Sequence, residues 1–417
     1  METKLFQRRY DLDWLRVLAF SGVFFYHCSR FFNSAYWHIK NAETSGIVDI
    51  FTGIFDMWGM PLIFAISGAS IFFALRPGGA VRFLRERGLR LLIPLAFGIL
   101  VLAPPQIYLE RLTHGEYSGT FFEFIPHYFQ SGNFAWTGVH LWYLEYLFLF
   151  TLVLTPFFIW LKRTTGQRAL EYLSRFSART GAIFLWAIPS ALVAIMVDPF
   201  SVMKPAPPEA FLRLVMFPLS LIYGYLIYAD NNIQQAIIRQ RRSALIMAMV
   251  GTIISLLITV VISEWGWKFS LPTFVLVMLL ACLLIWSYIL TFFGYAMRYW
   301  NTNRQPLAYA NEAVLPFYIL HQPVILILGY FIIPLPLPIL AKYLLITPLA
   351  FGITLGLYEY GVRRVNLLRR VFGLKAQKSD SPSAVLSVQP SPSPFSDETH
   401  HQPKEVRSSY LIKKGSK

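Results

Sequence analysis

Two residues in the first long apolar stretch could carry acid–base and anion chemistry together. Arg16 and His27 stand eleven positions apart in Asp11–Phe32. On a helix, eleven steps of about 100° return to within roughly 20° of the same face and climb about 16 Å. Asp13, three residues before Arg16, joins the stripe within ion-pair reach. A neutral imidazole can take a proton near neutral pH. A guanidinium suits a phosphate or carboxylate. Such groups are expensive in lipid, so three on one stripe point to function rather than helix–helix glue. Cys28 sits 100° round from His27 and reads as a small packed residue, not a nucleophile.

The scaffold that must position them is a membrane bundle. The 417 residues are 55% hydrophobic, 17% aromatic and 14% charged, with mean hydropathy +0.49. Soluble domains carry about a quarter charged residues. Ten apolar stretches follow the basic arm 1–11, near 12–32, 51–75, 89–109, 139–161, 181–198, 211–228, 244–262, 271–292, 313–333 and 337–360. The third holds Pro94, Pro104 and Pro105 and is expected to break or kink. The net charge of +15 is a topology signal, not a nucleic-acid one. The arm and the loops 76–90, 162–180, 229–243, 298–312 and 361–375 hold 23 Lys and Arg, against 5 in the alternate loops. By the positive-inside rule this predicts ten transmembrane helices over 12–372 and both termini in the cytoplasm. The first stretch is too long, and carries Arg16, for a cleavable signal peptide. The Ser/Pro-rich tail, 373–417, cannot bury a core and is expected to be disordered. The outside loop 110–138 could form a lid.

Other polar residues in apolar spans extend the candidate site. Asp56 is expected near the outer end of the second span, and Arg213 at the outer start of the sixth. His140 opens the fourth span, with Trp142 beside it and Glu145 about one turn deeper. His321 falls mid-way along the ninth. For His140 an interfacial belt position is the competing reading, and for His321 a hydrogen bond across helices. Glu145 and Asp56 read as partners for a His or Arg. Arg82, Arg85, Arg87 and Arg90 are either positive-inside anchors or a phosphate site.

These residues resemble the membrane acyltransferase-3 superfamily. The resemblance rests on Leu12-Asp13-Trp14-Leu15-Arg16 followed, after ten intervening residues, by His27, on Phe64-Ala-Ile-Ser-Gly68, the arginine pairs Arg82/Arg85 and Arg87/Arg90, and Phe317-Tyr-Ile-Leu-His321. It covers about residues 8–372. Many members have an aromatic residue after the glycine, where this chain has Ala69. Within the superfamily, Trp37-His-Ile-Lys-Asn41, Pro105-Gln106 and His140-Leu-Trp-Tyr-Leu144 are similar to the glucans biosynthesis protein C group. That resemblance implies an acyl-CoA donor (acetyl-CoA or succinyl-CoA) as co-substrate, with no permanently bound cofactor and no metal. It also implies a glycan hydroxyl acceptor outside a bacterial inner membrane.

The residues then take expected roles. His27 is the general base. Arg16 with Asp13 orients the donor or stabilises the oxyanion. Arg82, Arg85, Arg87 and Arg90 bind the CoA phosphates. His140, Trp142, Glu145, Asp56 and His321 meet the acceptor, with Arg213 as a possible partner for a succinyl carboxylate. Partners are the lipid bilayer, acyl-CoA and the glycan, with no nucleic acid. The competing readings are a transporter or flippase using the same buried groups, which inverted repeats would favour, and a scaffold for envelope synthesis.

Overall fold

The computed structural model describes residues 8–76, 78–130, 132–197, 212–265 and 270–377. The chain divides into a folded unit, Met1–Ala376, and a second unit, Gln377–Lys417. Of the expected tail 373–417, residues 373–376 belong to the folded unit, and the rest forms the second unit and lies, beyond Gln377, outside the described residues. No strand occurs among the described residues.

Helix α1 (Tyr10–Ser29) carries the stripe. It is followed by α2 (Gly46–Ala74), α3 (Ala80–Phe97), α4 (Ala103–Thr113), α5 (Phe121–Tyr128) and α6 (Trp142–Leu161). Next come α7 (Thr164–Ser177), α8 (Ala187–Val197), α9 (Phe217–Ala229), α10 (Asn231–Trp265) and α11 (Leu271–Tyr299). The last are α12 (Gln305–Ile332), α13 (Ile339–Gly356) and α14 (Asn366–Val371). Seven helical stretches are long and apolar enough to cross a membrane, and the chain is an integral multi-pass membrane protein. The other three expected spans coincide with α1 and with two shorter apolar helices, Ala182–Met196 and Leu214–Ala229.

Helix α1 begins at Tyr10, and its first residues are tied down. Asp11 and Asp13 occupy its first turn, where the helix dipole favours acids. Arg9 donates to both Asp11 oxygens (3.0 and 2.8 Å), and the Tyr228 hydroxyl of α9 donates to Asp11 at 2.7 Å. A fully buried carboxylate is tolerable only with such partners. They fix the start of α1 against α9.

The expected break in the third span is present. Helices α3 and α4 join through a π-turn, Gly98–Leu102, with Pro104 and Pro105 in the first turn of α4. Carbonyls at the break find side-chain donors: Tyr128 of α5 reaches Ile99 at 2.7 Å, and Gln106 reaches Leu102 at 2.7 Å. So the 110–138 segment is tied to the break through buried Tyr128.

Helices α2 and α9 cross at backbone contact. A Cβ on Gly68 would lie 1.8 Å from the Leu221 carbonyl oxygen, and one on Gly224 the same distance from that of Ala65. Small residues are what let helices in lipid approach so closely. This gives the Phe64–Gly68 segment a packing reason. The crossing holds α2 so that Ser70 meets Arg16 of α1 and Ser67 meets Tyr143 of α6. Helix α12 runs parallel to α1, since Asn311 meets Arg16 and His321 meets His27.

Candidate active site

At the far end of the α1 stripe three histidines converge. His27 Nδ1 and His321 Nε2 are 2.7 Å apart, and His321 Nδ1 lies 2.6 Å from the Tyr318 carbonyl. The His27 and His321 planes differ by 5° with centroids 5.0 Å apart, so at that N···N distance the rings lie end to end. The tautomers follow from this network. A carbonyl only accepts, so His321 Nδ1 carries the proton and its Nε2 is a lone pair. His27 must therefore donate from Nδ1, which leaves its Nε2 as a lone pair with no protein partner among the described residues. His27 is half-buried, so that nitrogen can meet a substrate.

Sequence chemistry explains the third histidine. Pro323 in α12 has no N–H, which frees the carbonyl four residues earlier, Ile319. His140 Nε2 donates there and to Tyr318, at 3.2 Å each. The Tyr318 hydroxyl donates back to the His140 carbonyl. His140 is buried and edge-on to His321 at 5.3 Å. It is a clamp between the start of α6 and α12, neither an interfacial belt residue nor the open base.

A second group closes the end of the bundle beyond the histidines. His38 Nδ1 and the Tyr36 hydroxyl each donate to one oxygen of Glu110, and Gln322 Nε2 lies 3.3 Å from His38 Nε2. Trp37 lies between the two groups, 5.4 Å from His27 and 4.9 Å from His38 by ring centroids. Burial and then the Glu110 hydrogen bond push the Tyr36 phenol up to about 12, so it donates as a neutral phenol. Burial and then Arg30 push Lys40 down to about 8. Beside this group opens a cavity of about 700 Å³, lined by Lys40, Asn41, Thr113, Tyr330 and Lys342 among others.

The near end of the stripe is cationic. Arg16 donates to Asn311 and Ser70 at 2.7 Å each and to Asp13 at 3.3 Å, and Arg8 bonds Asp13 from the other side at 3.0 Å. Arg87 and Arg90 lie within electrostatic reach of Arg16 and Tyr143. No carboxylate pairs with either arginine among the described residues. Arg90 is exposed and Arg87 half-buried. Between the two ends stand Phe20, Tyr143 and Tyr318, with Tyr143 bonded to Ser67 at 2.6 Å.

The sequence-derived candidates separate here. His27, His321 and His140 come together, as do Arg16, Asp13, Arg87 and Arg90. Arg82 pairs with Glu86 at 2.8 Å on an exposed face, and Arg85 is exposed. Arg16 is held about 16 Å of helix from His27, too far to stabilise an oxyanion there. Asp56 is on an exposed face of α2 and lines a cleft against α10 and α11. Trp142 stacks on Phe217, and Glu145 has a buried oxygen without a partner. The Arg213 side chain lies outside the described residues. Cys28 is fully buried. Sequence reasoning missed His38, Glu110, Gln322, Ser70 and Asn311 as site residues. Gln322 was signalled only by adjacency to His321, while the His38–Glu110 pair spans 72 residues and left no local pattern.

The acyltransferase-domain profile of the acyltransferase-3 family matches residues 9–359, which holds both ends of the stripe. The chain belongs to the acyltransferase-3 family. It is a membrane acyltransferase. It is similar to proteins named glucans biosynthesis protein C. Those from Salmonella agona (strain SL483) and Salmonella paratyphi A (strain ATCC 9150 / SARB42) are 25% identical over 386 residues, covering 91% of this chain and 98% of each relative. That from Salmonella schwarzengrund (strain CVM19633) is 24% identical over the same length. No solved structure matches the chain.

Proposed function

We propose that this acyltransferase moves an acetyl or succinyl group from cytoplasmic acyl-CoA to a hydroxyl of a glycan outside a bacterial inner membrane. The observation that carries the reading is the state of His27: donor on Nδ1, open lone pair on Nε2, on the same helix as Arg16, near which Arg87 and Arg90 of α3 have no carboxylate partner among the described residues. The charge asymmetry of the loops supports ten spans, with the arginine end and both termini in the cytoplasm.

The CoA phosphates bind Arg87 and Arg90, with Arg16 beside them, and the extended pantetheine arm runs along α1 past Tyr143 and Tyr318. The arm covers the roughly 16 Å to His27 and delivers the thioester there. The acceptor enters from the far end, through the cavity beside His38. His27 Nε2 takes the acceptor hydroxyl proton as the oxygen adds to the thioester carbonyl. His321 accepts from His27 Nδ1–H and stabilises the imidazolium. Collapse expels the CoA thiolate, which receives the proton. The exposed Tyr36 ring at the far end suits the apolar faces of sugar rings. The names of the relatives favour a glucan as acceptor.

The test compares envelope glycans from cells with and without the gene by mass spectrometry. A succinyl or acetyl increment lost on deletion is the expected result and identifies the donor. Unchanged glycans, together with altered solute uptake or export, would replace this reading by the transporter one.

A further inference from the structure

A base alone does not complete acyl transfer. As the acceptor oxygen adds to the thioester carbonyl, the C=O electron pair moves onto oxygen and needs a preorganised donor. Arg16 is about three helical turns away from that point. We propose that the indole N–H of Trp37 is this donor, which makes Trp37 a catalytic residue. The proposal rests on the reading of His27 as the base.

Trp37 is 9% exposed, and its Nε1 is buried with no partner among the described residues. Buried indole donors ordinarily find an acceptor. Those of Trp186 and Trp286 do, at Ser177 (3.1 Å) and the Ile183 carbonyl (2.7 Å). The exception sits against the base: the Trp37 and His27 centroids are 5.4 Å apart with planes 31° apart. The indole ring therefore lies against the His27 imidazole, with its donor unused. Two other unpartnered atoms lie on side chains of the same centre, Gln322 Oε1 and His140 Nδ1. Both are acceptors in the assigned network and cannot hold an oxyanion. Arg30 has an unpartnered Nε, but its guanidinium is 5.2 Å over the Trp37 ring. From there its charge polarises the indole N–H.

In the resulting step the acceptor proton goes to His27 Nε2 and the new C–O bond forms. The oxyanion sits on Trp37 N–H, then re-forms the carbonyl as the C–S bond breaks. The thiolate leaves and takes the proton from His27.

The experiment replaces Trp37 in the full chain by benzothienylalanine, its sulfur isostere, which deletes the N–H and keeps the ring. Trp37→Phe serves as a second variant. Transfer from acetyl-CoA and succinyl-CoA to a glucan oligosaccharide is measured in lipid nanodiscs, with thermal midpoints as the folding control. The expected result is a fall in kcat of about 10²- to 10³-fold, with the acyl-CoA KM within threefold and the midpoint unchanged. Full kcat in the benzothiophene variant overturns the proposal, as does an unchanged kcat with a raised acceptor KM. A large kcat loss in Arg30→Gln without one in the isostere would assign the donor to Arg30 instead. Should His27→Ala keep normal turnover, the base reading itself fails. An inactive His27→Ala beside a fully active isostere fails this proposal alone.

Discussion

Replacing His321 by alanine tests the histidine relay directly. His321 is buried at 1% exposure, and among the described residues its Nε2 is the one acceptor for His27 Nδ1–H. In the variant that N–H has no partner, and the imidazolium formed when His27 takes the proton loses its support. A hydrogen bond to a charged group contributes about 1.5–3 kcal/mol, which converts to roughly 10- to 150-fold in kcat. Removing the base itself in His27→Ala forfeits the general-base term, about 10²–10⁴-fold. The expected order of activity is therefore wild type, then His321→Ala, then His27→Ala. His321→Gln, whose carbonyl oxygen can accept from His27, should recover most of the loss. The assay is transfer of radiolabelled acyl groups by purified protein, with KM for acyl-CoA and thermal midpoint measured on each variant. A His321→Ala enzyme with wild-type kcat would refute the relay. So would a Gln variant no better than Ala at equal midpoints, since the role would then not depend on an acceptor at that point.

Two further outcomes follow from the packing and the charges. Arg87→Gln with Arg90→Gln should raise the acyl-CoA dissociation constant by at least about tenfold, allowing for screening at exposed Arg90, and flatten its salt dependence. Arg82→Gln with Arg85→Gln should leave both within twofold, and the reverse pattern in a binding titration would move the phosphate site outward along α3. Gly68→Ala or Gly224→Ala drives a methyl into a carbonyl of the opposite helix. Each should lower the thermal midpoint in detergent as overpacking of about 1–3 kcal/mol or more. Gly352→Ala, with nothing within 4 Å of its Cβ, should not, and equal midpoints for all three would refute the tight crossing.

The sequence by itself determined the membrane class, the break at Pro104–Pro105 and the stripe on α1. These are local properties: apolar runs, missing N–H groups and helical periodicity each act within a few turns. It also placed His27 and Arg16 at opposite ends of one helix. What only the tertiary structure decided is which polar groups meet. Asp56, Trp142 and Glu145 had the same standing in the sequence as His321, yet each is on a helix face turned elsewhere. Arg82 and Arg87 are five residues apart on α3, and the helix sends one to Glu86 at the surface and the other toward Arg16 and Tyr143. The tautomer of His27 depends on a carbonyl of Tyr318, nearly three hundred residues away, and the clamp of His140 depends on a carbonyl freed by Pro323. Periodicity gives a residue its face on one helix, but the partner on that face is set by how several helices cross, and backbone contacts such as Gly68 on Leu221 fix those crossings.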